Sequence, residues 1–89
     1  MSDRLTLVRG RLVHRVVDGE LMILDAARDE YVRGNGSMAL LWPLLERGCT
    51  LAELAAELRG SYDVDEAGAI DAAEELLADL RARGWIDEP

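Results

Sequence analysis

The chain has 89 residues, a net charge of −8, one cysteine (Cys49) and one histidine (His14), which is enough for one domain with a modest core but not for an intramolecular disulfide or a zinc site of the usual Cys/His ligand count. No apolar run approaches the roughly 18 residues that a membrane span needs, and Met-Ser-Asp-Arg opens no long apolar stretch, so a soluble, cytoplasmic protein with no membrane partner is expected. Residues 1–36 carry six acids and six arginines, whereas residues 37–89 carry twelve acids and four arginines; nucleic-acid binding draws on a basic stripe, and the second half has the opposite sign.

In chain order, Leu5 to Val8 reads as a short leading strand. Leu12 to Val17, Asp18-Gly19 and Leu21 to Leu24 read as a hairpin, because aliphatic and β-branched residues flank a pair suited to a type I′ turn. Arg28-Asp29 turns the chain into a third strand of the meander at Glu30 to Arg33. If that strand is the sheet edge, its unpaired backbone groups can accept a guest strand.

Gly34-Asn35-Gly36 then breaks the period-two pattern, with the glycines read as supplying positive φ at the strand-to-helix turn. Ser37 is the expected N-cap of a first helix in which Met38, Leu41, Trp42 and Leu45 recur at helical spacing, with Pro43 predicting a kink or an irregular first turn. Thr50-Leu51-Ala52-Glu53 is a capping box for a second helix over about 51–59, with Gly60 available to end it. Asp65 caps a third and longest helix that runs toward Arg81, Arg83 and Gly84. At about 100° per residue, Ala69, Ala73, Leu76, Leu77 and Leu80 fall on its core side, and Ile70, Glu74, Leu77 and Arg81 form a half-apolar row along one flank. Trp85 and Ile86 supply a short apolar ending.

Candidate chemical groups are sparse. His14 lies mid-strand without a nearby Ser or Cys partner in sequence, and Cys49 sits between Glu46 and Glu53 rather than in the electropositive setting of a nucleophile. Both read as structural, Cys49 as a packed thiol. Gly34-Asn35-Gly36 lacks the strand, glycine spacing and lysine of a phosphate cradle. Asp71, Glu75 and Asp79 stack at i, i+4 spacing and read first as a solvated face, with docking of a basic partner as the minority reading. Trp42 reads as core. No catalytic, cofactor or metal set emerges, and the chain is read as a non-enzyme.

Tyr31 and Asn35 ahead of Leu40-Leu41-Trp42, then Leu44-Leu45-Glu46-Arg47-Gly48, Thr50-Leu51-Ala52-Glu53-Leu54, Tyr62-Asp63-Val64 and the closing Leu80-Arg81-Ala82-Arg83-Gly84-Trp85-Ile86, occur in an order and spacing that resemble the small PqqD-like family of coenzyme-biosynthesis chaperones. The resemblance spans about residues 11–86. It departs from the family pattern at Pro43, and at Gly34, where many relatives carry an aliphatic residue. The family's domain is the recognition element for precursor peptides of ribosomally made natural products, and a stand-alone chain of this length looks most like the recognition protein of lasso-peptide biosynthesis.

The resemblance implies an α+β, winged helix-turn-helix-like fold, a three-stranded antiparallel β-sheet followed by three α-helices, spanning 1–89 as one domain. It also implies that a precursor leader peptide adds as a strand between strand three and helix three. Carried onto this sequence, the guest backbone meets Glu30, Tyr31, Val32 and Arg33, and its side chains meet Ile70, Ala73, Glu74, Leu77 and Arg81. Arg33 and Arg81 would pair with leader acids, and Glu74 with a leader base or hydroxyl. The implied partners are the leader, a leader peptidase and a cyclase, with no cofactor and no nucleic acid. A winged-helix DNA-binding regulator is the alternative, disfavoured by Asp71, Glu74, Glu75 and Asp79 on the helix that would read DNA. A structural subunit that dimerises through its open edge is a third reading.

Overall fold

The computed structural model describes residues 4–87. The chain runs through β1 (Thr6–Leu7), β2 (Leu12–Val17), β3 (Glu20–Asp25), β4 (Glu30–Gly34), α1 (Gly36–Arg47), α2 (Leu51–Ser61), α3 (Glu66–Ala82) and β5 (Ile86–Asp87). Asp18 and Gly19 both hold positive φ, 53° and 78°, as a type I′ turn requires. That turn sets β2 against β3 from Val17↔Glu20 to Leu12↔Asp25. Asp29, at φ 52°, reverses the chain again, and β4 returns antiparallel along β3. The sheet order is therefore β2-β3-β4, and the expected three-stranded antiparallel sheet followed by three helices is present.

Alternation gives the sheet two unlike faces. Leu21, Ile23 and Asp25 of β3 are buried beneath the helices, together with Gly34 of β4, and Val32 is half-buried. Tyr31 pairs with Leu24, and Arg33 with Met22, on the outer face. The leading strand does not extend this sheet: β1 pairs with β5 in a separate two-stranded ribbon. Leu5 also exchanges backbone hydrogen bonds with Cys49, at 2.6 and 2.9 Å. Cys49 is fully buried there, and burial pushes its thiol above the ordinary range, in keeping with a packed side chain.

The helix ends follow local chemistry, with corrections at the α1 N-cap, at Gly34 and Gly36, and at Gly60. Asn35, not Ser37, is the N-cap of α1; its Oδ1 accepts from Met38 N at 2.8 Å. Gly34 and Gly36 do not hold positive φ. At Gly34 the requirement is space, because a Cβ would come within 3.0 Å of the Met38 sulfur and 3.1 Å of Leu21 Cδ2. The helix runs unbroken through Pro43, which is exposed. In α2 the capping box forms as expected, but the helix passes Gly60 and stops at Ser61, where Tyr62 N donates to Leu58 O at 2.8 Å. Asp65 caps α3 through Gly68 N at 2.7 Å.

Burial of Leu41, Trp42 and Leu45 from α1, Leu54 and Leu58 from α2, and Ala69, Ala73, Leu77 and Leu80 from α3 makes a single core that also takes in Trp85. Trp42 and Trp85 meet edge to face at 6.2 Å, a favoured aromatic geometry. Among the described residues no helix is long and apolar enough to cross a membrane, and no group of three or more His, Cys, Asp or Glu side chains is placed to hold a metal.

Candidate binding groove

Because β3 lies in the middle of the sheet, β2 and β4 are its edges. The side of β4 away from β3 has no strand partner among the described residues, so alternate N–H and C=O groups there are open to a guest. A groove of about 250 Å³ opens where β4 ends. Asn35, Ser37, Met38 and Leu41 form one wall, Ala72, Glu75, Leu76 and Asp79 of α3 form the other, and buried Leu58 of α2 lies between them. The missing side chain of Gly34 lets Met38 reach Leu21 and so shapes the strand end of this wall.

The groove is acidic on one side only. Asp79 Oδ2 accepts from Arg83 Nε at 3.3 Å, and the Arg83 guanidinium lies over the Trp85 ring, 5.3 Å from its centre. Glu75 is exposed and makes no ion pair or hydrogen bond among the described residues.

The opposite end of β4 is closed. Asp25, 1% exposed and paired with Glu30, accepts from Arg11 Nε at 2.8 Å and Nη2 at 2.9 Å, from Trp85 Nε1 at 2.8 Å and from Ala27 N at 3.1 Å. Arg11 also donates to the carbonyls of Arg83 and Gly84, at 3.3 and 3.2 Å. A bidentate guanidinium with two further donors leaves the carboxylate satisfied, and the Arg11 hydrogen bonds hold it well below the usual carboxylate range. This corner fixes the end of α3 to the sheet and thereby sets one end of the space between them.

The residues expected to form the site are split by the fold. Glu30, Tyr31, Val32 and Arg33 all lie on β4, as expected, with Tyr31 71% exposed and Arg33 Nε 3.1 Å from Glu20 Oε2. Ala73 and Leu77 are core residues, 0% and 1% exposed, so the side chains expected beneath a guest instead support the wall from inside. Ile70 is half-buried, and Glu74 and Arg81 are exposed. At about 100° per residue they lie on the opposite flank of α3 from Ala72, Glu75 and Asp79, so they do not share the groove with Met38. The groove-lining Glu75 and Asp79 were visible in sequence as an i, i+4 acidic column beside Leu76, but that spacing does not reveal which flank faces α1.

A roomier depression, about 620 Å³, lies on the outer sheet face over Val13, Val17, Met22, Leu24 and Tyr31. It has no helix wall. The groove lies between α1 and α3, starting at Asn35 just past the end of β4, whereas the outer-face depression is lined by strand and turn residues alone.

The family described as coenzyme PQQ synthesis protein D (PqqD) matches residues 20–86, well over half of the chain. The chain belongs to the PqqD family. Its match begins with β3, takes in β4 and all three helices and ends in β5, so the open edge and both groove walls are PqqD-family elements. Among solved structures, this PqqD-family chain is similar to one titled "Lasso peptide synthetase B1 complexed with the leader peptide", at 24% identity and TM-score 0.81 over 97% of this chain and 99% of that one. It is also similar to "TbiB1 in Complex with the TbiA(beta) Leader Peptide", at 20% identity and TM-score 0.82 over 92% and 94% of the two chains. At these identities the likeness establishes the shared fold. No curated protein matches the chain.

Proposed function

We propose that this PqqD-family domain binds the leader region of a ribosomally made lasso precursor peptide, by adding the leader as a strand to the open edge of β4. It works without catalysis of its own and delivers the leader to a separate peptidase and then to a cyclase. The observation that carries the reading is the open β4 edge ending at a groove walled by α1 and α3. Support comes from the fold shared along nearly the whole chain with two proteins whose structures are titled as leader-peptide complexes.

Strand addition divides the work between two kinds of contact. Backbone hydrogen bonds along Glu30 to Arg33 give affinity with little dependence on sequence, and alternate guest side chains entering the groove give selectivity. Leu76 offers apolar contact, with Met38 and Leu41 backing the opposite wall from inside, while Tyr31 and Arg33 flank the guest on the outer face. An interface of this kind falls at roughly micromolar to nanomolar Kd, set by pocket quality more than by area.

The test is a titration of the purified protein with the synthetic leader of the precursor encoded beside it, followed by amide exchange. New protection is expected across Glu30 to Arg33, with β2, the other sheet edge, unchanged. Unchanged exchange at Glu30 to Arg33 under saturating leader overturns strand addition there. Duplex DNA at low salt is expected not to bind tightly, because α3 turns Asp71, Glu74, Glu75 and Asp79 outward where a DNA reader presents phosphate-contacting cations.

A further inference from the structure

We infer that the groove selects a leader carrying a lysine or arginine on the face turned toward α3, and that Glu75 is the residue that reads it. The inference rests on the groove being the leader's site. The α3 wall places two carboxylates, Glu75 and Asp79, beside Ala72 and Leu76, while Asn35, Ser37, Met38 and Leu41 opposite carry no charge. Asp79 is already engaged by Arg83, and Arg83 is itself held against Trp85. Glu75 is thus the wall's uncompensated charge. Asp71, the upper member of the same acidic column, does not line the groove.

Spacing favours a two-residue reading. Guest side chains on one face of a strand recur every two residues, about 6–7 Å apart, close to the axial rise of about 6 Å between helix positions four apart, such as Glu75 and Asp79. A guest strand running along α3 that sets one side chain level with Asp79 therefore brings its next same-face side chain level with Glu75. A cation there meets a carboxylate without an internal partner among the described residues, at the mouth of a half-apolar groove where water is partly displaced. An acid at the same position is repelled by both carboxylates, which gives the groove a charge filter as well as an apolar pocket.

The experiment uses the full chain and the synthetic leader of the precursor encoded beside it, with each lysine and arginine of the leader replaced singly by glutamine. Glu75→Gln is expected to weaken the unmodified leader by about three- to tenfold. One leader position is expected to lose a similar factor on replacement and to have no further effect in the Glu75→Gln background. Asp71→Gln is the control and is expected to leave affinity unchanged. Glu75→Lys should bind best to a leader with glutamate at the coupled position. Glu75 is exposed and flanked by like charges, so these variants retain the fold, which circular dichroism checks. Tight leader binding with no basic position coupled to Glu75 overturns the charge filter and leaves the leader site standing. Failure of the unaltered chain to bind any leader overturns the site and the filter together.

Discussion

The Arg11–Asp25–Trp85 corner and the Met38–Leu76 groove stand at opposite ends of β4, and they solve the meeting of sheet and α3 in opposite ways. At the corner a buried carboxylate accepts from a guanidinium, an indole and a backbone amide, so the geometry is fixed by directional bonds. At the groove, side chains of α1 and α3, about half of them apolar, face each other across open space, and among the described residues no hydrogen bond or ion pair joins the two walls. The difference teaches how one small domain combines a fixed wall with an open one: the corner holds α3 in register while the other end stays open for the proposed guest.

Breaking the corner is expected to have the largest effect. Asp25→Ala leaves the Arg11 guanidinium and the Trp85 indole without their acceptor in a water-poor setting. Its urea midpoint is expected to fall further than that of any other substitution considered below. The same carboxylate makes stability depend on acid. Its folded pKa lies below the ordinary aspartate value, chiefly through the Arg11 hydrogen bonds, so the contribution is fully present above the unfolded pKa of about 3.9 and is lost as pH falls below it. Asp25→Asn is expected to flatten that acid limb; an unchanged limb in urea melts between pH 5 and pH 2 would remove Asp25 from this role.

The two tryptophans sharpen the contrast at the level of a single N–H. Trp85 Nε1 donates to Asp25, whereas Trp42 Nε1 is buried without an acceptor among the described residues. Trp85→Phe therefore removes a hydrogen bond to a charged group, about 1.5–3 kcal/mol, beyond the loss of ring volume that both substitutions share. Trp42→Phe removes an unsatisfied donor and is expected to be the milder change in denaturant unfolding. Equal losses would mean that the indole bond at the corner contributes nothing net.

The open end is probed by Leu76→Ala. Leu76 is half-buried on the groove wall, whereas its neighbour Leu77 is 1% exposed in the core. Leu77→Ala is expected to cost about 2–5 kcal/mol of stability. Leu76→Ala is expected to weaken leader binding by about tenfold, near 1.4 kcal/mol, with a smaller loss of stability. Calorimetric titration beside urea melts separates the two, and the reverse pattern would place the guest on the other flank of α3.

Much of the architecture was legible because its determinants are local. Asp18-Gly19 encodes its own turn, Thr50 and Glu53 satisfy each other's backbone, and Asp65 needs only Gly68. The misreadings have a common cause in contacts distant in sequence. Gly34 is explained by Met38 and Leu21 rather than by its own φ, and β1 finds its partner in β5 at the far end of the chain. The third strand of the meander could be read as an edge, but which flank of α3 meets Met38 of α1 could not. Periodicity separates the core side of a helix from the rest and leaves the two flanks equivalent until α1 and α2 fix how the helix is rolled. Ile70, Glu74 and Arg81 were therefore as plausible on spacing as Ala72, Glu75 and Asp79, and Ala73 and Leu77 belong to the core whichever flank is chosen.

Asn35 offers the smallest effect and the finest comparison, because it serves the fold and lines the groove at once. Its Oδ1 caps α1 through Met38 N, so Asn35→Ala is expected to cost about 1 kcal/mol of stability, as loss of an N-cap does. Asn35→Ser and Asn35→Asp restore a capping oxygen, and both are expected to recover the urea midpoint. They should differ in binding. A serine keeps the wall neutral, whereas an aspartate gives the uncharged wall a carboxylate opposite Glu75 and is expected to favour a cationic leader by a few-fold, most clearly at low salt. Equal affinities for the two capped variants would confine Asn35 to the start of α1 and move the boundary of the groove away from the end of β4.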